Sequence, residues 1–290
     1  MAATSGHFSG AYEALWLARD SNGYPMGSSS TPNTKVNGST YHAYRLPGLV
    51  SATAPGVTRG RVTFRGGMKA RGSRNTGLED FGDFTLTLAA FDETFDALVT
   101  GSVADATTGG TDNVITAPNS NLADKPQGFL ILTRGFQTSA GANKYMHWIY
   151  NNVQLEPVDP EANQTTGENP QAMTYTVTPS QSTRTVFGYP LSALTVAVED
   201  SSDYYIRYRT DERINVTTYI DDASATSFVV GTRPVSSDNA GVTNVFTKNG
   251  AVAHASVSGF SVTTGATTHT AGTAADIWVC TYGTRFTPIS

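Results

Sequence analysis

The chain has 290 residues, 39% hydrophobic and 15% charged, with one cysteine and a formal net charge of -5 at pH 7, a length of roughly two average domains. Cys280 has no partner within the chain, so the expectation is a reducing compartment, or cores large enough to need no disulfide. Met1 to His7 lacks the basic start and apolar run of a signal peptide, and no apolar run approaches the roughly 18 residues of a membrane helix; a soluble protein with no membrane insertion is expected.

Composition points to strands. The chain holds 42 Thr, 13 Tyr and 13 Phe but only five Lys, and branched or flat side chains suit a pleated surface. Charge is unevenly placed. Between Asp20 and Glu79 there is no acidic residue, and the interval carries Lys35, Arg45, Arg59, Arg61, Arg65, Lys69, Arg71 and Arg74, a charge of +8 that leaves -13 for the remainder. Such a division suits binding to a polyanion or to copies of the chain itself; the plainer reading is a solvated basic strand edge that discourages aggregation.

In chain order, Tyr12 to Arg19 reads as a strand with Tyr12, Ala14 and Trp16 on one face and Glu13, Leu15 and Leu17 on the other. Successive turn signals from Asp20 to Thr40 predict a long loop, of a length that is usually functional. Arg59 to Arg65 alternates as a half-buried strand with a basic outer face, followed by a basic loop from Lys69 to Gly77. Phe81 to Phe91 alternates again, with Phe84, Leu86 and Leu88 inward and Asp83, Thr85 and Thr87 outward. The only convincing helix runs from Asp92, its cap, to Val99, with Phe91, Phe95, Leu98 and Val99 as the apolar stripe and Gly101 as the stop.

A Gly/Thr/Asn-rich loop covers Ser102 to Gln127, and two strong strands follow, Gly128 to Phe136 and Lys144 to Leu155, the second apolar on both faces. Glu156 to Gln171 reads as a linker or surface loop, and Thr174 to Val177 with Ser182 to Phe187 as a strand pair. Beyond Ser192 short strands recur at Leu194 to Val198, Tyr204 to Arg209, Ile214 to Ile220, Ser227 to Val230, Val242 to Phe246, Ala251 to Val262 and Ile277 to Tyr282. That spacing suggests a sandwich or small barrel.

Catalytic signatures do not emerge. No phosphate loop, strand-linked GxGxxG, HExxH or GxSxG elbow is present. The five histidines, His7, His42, His147, His254 and His269, are scattered, with His147 assigned to a strand face and the others to loops or termini. Glu79, Asp80 and Asp83 could form a glycosidase-like pair or a Ca²⁺ site, but a solvated loop entering a strand is the simpler reading. No enzymatic activity, metal or cofactor is therefore expected.

The order of elements resembles the tail tube (major tail) proteins of long-tailed bacteriophages: an N-terminal strand, a turn-rich loop, a basic-to-acidic strand pair, one amphipathic helix and two long strands with an aromatic centre. Asp80-Phe-Gly-Asp-Phe-Thr-Leu-Thr-Leu88 with its following helix, and Lys144-Tyr-Met-His-Trp-Ile-Tyr150 leading into Pro157, carry the likeness, which covers roughly the first 190 residues. The resemblance implies a mainly β fold, a tail-tube-type β-sandwich or barrel with one short helix in residues 1–191, with residues 192–290 as an appended β-sandwich-like domain. It implies homohexameric rings that stack into the tube through which double-stranded DNA leaves the virion. Tape-measure protein and tail terminator would be partners, and assembly would take place in the host cytoplasm. Asp20 to Thr40 would be the stacking loop, and Asp92 and Phe95 would lie in a helix at the subunit junction. Arg59, Arg61 and Arg65, with a partner strand carrying Asp83, Thr85 and Thr87, would belong to the inner sheet. Family lumens tend to be acidic, and phosphate contacts with Lys or Arg are adhesive; Lys69, Arg71 and Arg74 are therefore expected to meet acidic surface of an adjacent subunit or ring. The alternative is a host-glycan-binding or capsid-decoration protein using Trp16, Trp148 or Trp278 as a stacking platform.

Overall fold

The computed structural model describes residues 6–19, 23, 25–27, 37–46, 48–53, 57–66, 69–101, 104–106, 113–115, 125–158, 172–180, 205–211, 213–230, 245–249, 251–253, 256–261, 264–270 and 272–284. Among these residues it is mainly β, with antiparallel sheets and one short helix. Three long strands sit at the centre: β1 (Gly6–Arg19), β11 (Gly128–Thr138) and β12 (Asn143–Val158). Their sequences are apolar at consecutive positions because both of their faces are covered. Ala14, Trp16, Leu130, Leu132 and Tyr150 pack on one side of the sheet, and Leu15, Leu17, Phe129, Ile131 and Ile149 on the other. Gly128 lies flat against Trp16, where a Cβ would come within 2.3 Å of the indole.

Around this centre a nine-stranded sheet forms. Its main path adds β2 (Pro25–Gly27), β13 (Met173–Pro179), β8 (Phe84–Leu88) and β5 (Leu49–Ala52) in the order β2-β1-β11-β12-β13-β8-β5. β12 is long enough, at roughly 50 Å, to take two partners in tandem along one edge. Its Tyr145–Tyr150 half pairs with β14 (Tyr205–Thr210), and its Val153–Val158 half pairs with β13. On the far edge of β1, Leu15 and Trp16 pair with β4 (Tyr44–Arg45). β4 and β5 therefore sit on opposite ends of the same sheet yet are only four residues apart, a reach of at most about 14 Å. The sheet must curl so that its ends approach, and Leu46, 3% exposed, is buried in the concave side.

Helix α1 (Glu93–Thr100) closes that concave side at the C-terminal end of β12. Phe95 and Val99 enter the core, as the apolar stripe predicts, whereas Phe91, expected in the stripe, is half exposed. It precedes the cap residue and so lies off the helix face. Gly101 ends the helix at φ 70°, a left-handed conformation that favours glycine.

The convex side is covered by a second sheet, β18-β17-β21-β15-β3, made of β3 (Thr40–His42), β15 (Arg213–Ile220), β17 (Val245–Lys248), β18 (Ala251–Val252) and β21 (Ile277–Thr284). Ile214, Val216, Ile277 and Val279 meet the outer residues of β1, β11 and β12. Its other face packs Tyr219, Phe246, Trp278, Cys280 and Tyr282 against Phe228 and Val230, on the side of a three-stranded sheet of β16 (Ser227–Val229), β20 (Ala266–His269) and β19 (Val257–Phe260). The boundary expected at residue 191 is crossed twice by backbone pairing, since β14 joins the first sheet and β3 joins the second.

Several expectations are corrected. Ala251 to Val262, read as one strand, divides into β18 and β19 in different sheets, because the chain turns where Ser256 N–H donates to the Ala253 carbonyl at 3.0 Å. β20 was not anticipated, for its inward positions are Thr267 and His269 rather than aliphatic residues. Lys69 to Gly77, read as a loop, lies in strand β7 (Lys69–Phe81). The expected strands at 182–187 and 194–198, and most of the expected 20–40 loop, fall outside the described residues.

One ion cluster ties the two large sheets together. Glu13 on β1 is 4% exposed, with Arg45 Nε of β4 at 2.5 Å and Arg213 Nη1 of β15 at 3.6 Å. A carboxylate this deep is tolerated only with cations beside it. Glu13→Ala would leave two guanidiniums facing each other at the sheet junction and is expected to lower stability by about 3 kcal/mol. Urea unfolding followed by tryptophan fluorescence measures it; a midpoint equal to wild type would show that the cluster holds nothing together.

Candidate functional site

The basic interval has a definite backbone. β6 (Val57–Gly66) and β7 form a two-stranded antiparallel ribbon that belongs to neither large sheet. Arg59 stands opposite Glu79, Arg61 opposite Asn75, Val62 opposite Arg74 and Arg65 opposite Ala70, with register shifts beside Arg59 and beside Arg65. Lys69 pairs with Gly66 at the turn end and Arg71 lies between paired positions. The glycines and Asn75 that suggest a loop are overridden by cross-strand pairing, which is the usual way context defeats weak β propensity. Arg59 to Arg65 thus takes residues 69–81 as its partner, and the strand after Asp83 goes elsewhere.

That strand, β8, lies between β13 and β5 in the curled sheet. Phe84, Leu86 and Leu88 are buried and Asp83 and Thr85 exposed, as the alternation predicts, with Thr87 half-buried. Asp83 stands just before the strand. Thr85 is held by Thr53, whose hydroxyl accepts from Thr85 N–H at 2.8 Å, and Thr87 approaches Thr174 at 3.5 Å. The outward face of β8 is therefore a row of hydroxyls.

At the helix, Asp92 is spent inside the chain. One carboxylate oxygen caps α1 by accepting Phe95 N–H at 3.0 Å, and the other accepts the Tyr44 hydroxyl at 2.5 Å. Phe95 is fully buried, stacked on Tyr44 at 5.7 Å and met edge-on by Tyr175 at 5.4 Å. It presents no surface to a neighbour, which corrects its expected place in a subunit contact: the residue lies on the inward stripe of α1. Tyr175 also donates to Asp96 Oδ1 at 3.2 Å. Burial pushes the Asp96 carboxyl up, partly opposed by that hydrogen bond, while burial and the neighbouring Asp92 push the Tyr44 hydroxyl well above its ordinary range.

Histidines are placed differently from expectation. His147 is a buried strand residue, as expected, bracketed by Thr133 at Nδ1 (2.9 Å) and Thr210 at Nε2 (2.7 Å), so it links β11, β12 and β14. His7, His42 and His269, assigned to loops or termini, lie in β1, β3 and β20; His254 is outside the described residues. His269 packs against Trp278 at 4.9 Å, with Nδ1 donating to the Thr270 carbonyl at 2.9 Å. Among the described residues no three His, Cys, Asp or Glu side chains gather as metal ligands, and no helix is long and apolar enough to cross a membrane.

The tryptophan platform finds little support. Trp16 and Trp278 have no exposed surface, and Trp148 is half-buried with the Arg134 guanidinium over its ring at 5.2 Å. Sequence reasoning missed this last grouping because Arg134 and Trp148 lie on different strands and meet only through the register that sets Arg134 beside Met146.

No protein-family model and no curated protein matches the chain.

Asp96 gives a pH test. Its native carboxyl is raised, so the folded state holds the proton more tightly than the unfolded chain. This contribution is greatest below the ordinary carboxylate range and is lost as pH rises through the raised native value. Asp96→Asn keeps an acceptor for Tyr175 without the charge. At pH 7 the variant should melt at or above wild type, and wild type should gain on it as pH falls toward about 4. Parallel Tm curves across that range would overturn the assignment.

Proposed function

We propose that the chain is a structural subunit that assembles with its own copies, and specifically a tail tube subunit of a long-tailed bacteriophage, building stacked homohexameric rings in the virion tail. The β6–β7 ribbon carries the reading. An isolated two-stranded ribbon is marginal in water, and strands of 10 and 13 residues that among the described residues pair only with each other call for a surface to lie on. The ribbon holds six of the eight cations of the acid-free interval against Glu79 and Asp80, while the chain as a whole is acidic. The complementary surface available in quantity is another copy.

The curled sheet with α1 at one end suits the same reading, as does the sequence resemblance. In this proposal Arg59, Arg61 and Arg65 are paired with carboxylates rather than bared to passing double-stranded DNA, and Lys69, Arg71 and Arg74 meet the acidic surface of an adjacent subunit or ring. Thr85, Thr87 and Asp83 stay on the outward face of β8. Tape-measure protein and tail terminator are the partners the family would supply.

Two experiments test it. Negative-stain microscopy of the purified chain should show rings or hollow tubes; monodisperse monomers across salt and concentration would sink the proposal. The pair Arg71→Glu and Arg74→Glu should block tube growth with the monomer still folded by circular dichroism. Normal tubes from that variant would remove the basic ribbon from assembly.

A further inference from the structure

At the end of the concave face opposite α1, the curled sheet displays guanidinium groups interleaved with aromatic rings. Phe8 is opposite Phe136, Arg134 opposite Met146, and Trp148 opposite Arg207, with Met146 also opposite Arg209. Directly opposed residues and those two apart along a strand share one face, so all of these side chains rise from the same surface. Arg134 lies over Trp148 at 5.2 Å, Arg207 over Tyr205 at 5.7 Å and Arg209 over Phe136 at 5.9 Å. Phe8 is 54% exposed and leans on Phe136 and Trp148, each at 5.5 Å.

Among the described residues little neutralises the charges of this surface. None of the three guanidiniums has a carboxylate within ion-pair distance among the described residues. Arg134 is held by the Ala52 carbonyl at 2.9 Å, and Arg207 and Arg209 are exposed. At the rim Lys144 is paired with Asp211. Stacking on a ring fixes a guanidinium in one plane and leaves its N–H edge free for a carboxylate. Aromatic residues, Met and Arg, with Lys, Glu and Asp nearly absent, are also the composition that marks the energetic centre of protein interfaces. A sugar would find the Trp148 ring already faced by Arg134.

We propose that this arginine-aromatic end of the large sheet is a docking surface for an acidic part of a second copy of the chain. The choice of occupant rests on the self-assembly reading above and on charge complementarity. The chain has a net charge of -5, and from 145 to 183 it carries Glu156, Asp159, Glu161 and Glu168 without a single Lys or Arg. Phe8 on β1, against Phe136 and Trp148, supplies the apolar contact, and Arg207 and Arg209 on β14 supply the charged contacts.

Sedimentation velocity of the full chain, over a concentration series and at low and high salt, tests this. Phe8→Ala and, separately, the pair Arg207→Ala and Arg209→Ala change only exposed side chains, and circular dichroism confirms their folding. Each is expected to weaken self-association by about tenfold or more, and salt should weaken wild type but have less effect on the arginine pair. Salt-sensitive oligomers that are lost in these variants, without rings or tubes, would uphold the surface and remove the tail tube reading. Rings and tubes unchanged in the variants would overturn the surface and leave that reading standing. Unchanged self-association with retention on DNA lost would overturn it as well, making the surface a nucleic-acid site.

Discussion

Everything in this fold depends on covering both faces of three strands. β1, β11 and β12 are apolar at successive positions, so each face exposed to water would forfeit several buried aromatic or branched side chains, at about 1.5–3 kcal/mol apiece. Two covers answer that constraint. On the concave side the sheet bends until β4 and β5 nearly meet, and α1 fills the remaining gap. On the convex side β15 and β21 lay Ile214, Val216, Ile277 and Val279 against Leu15, Leu17, Phe129, Ile131 and Ile149. Residues beyond 205 are thus part of what makes the central strands stable, and β14 extends the sheet itself.

Polar groups at these junctions act as registers. Glu13 is the only carboxylate among the inward positions of β1, and it meets Arg45 from the adjacent strand of its own sheet and Arg213 from the covering sheet. His147 does the same work with hydroxyl partners, because Thr133 and Thr210 meet both ring nitrogens across three strands. At α1, Asp92 and Asp96 accept the hydroxyls of Tyr44 and Tyr175, which also both pack on Phe95. An aliphatic residue would pack as tightly at any of these points but would accept neighbouring registers too, which a polar pair with fixed geometry does not.

What could be read from the sequence follows from how local each signal is. The faces of β1 from Glu13 to Leu17, the burial pattern of β8, the Asp92 cap and the Gly101 stop all depend on neighbours within a few residues, and all appear in the structure. The assignment of Lys69 to Gly77 to a loop failed because its strand character comes from β6, not from its own glycine-rich composition. β20 was invisible for a related reason: Thr267 and His269 are inward-facing, and their burial is decided by Trp278 and Phe228 from other strands. The exchange of β3 and β14 between the two halves leaves no local trace at all. Phe95 shows the opposite failure, a correct helix position joined to a wrong partner, since a buried stripe and an interface stripe look alike in one dimension.

Charge is legible in the same local way. The interval from Asp20 to Glu79 stands out because its cations are contiguous in sequence, and six of them end on one ribbon. Arg134, Arg207 and Arg209 sit in stretches whose net charge is unremarkable, and they become a cluster only when β11, β12 and β14 are laid side by side. The alternation of Arg207 and Arg209 behind Tyr205 was a trace of it, since a spacing of two puts both on one face of any strand. Two basic surfaces on an acidic chain are hard to keep bare: like charges held near one another repel, and that cost is relieved when carboxylates approach from outside. Among the described residues the ribbon pairs with no other strand and the guanidiniums of the sheet end have no carboxylate beside them; both ask for the same kind of neighbour, and a molecule whose excess charge is negative can supply it from its own copies.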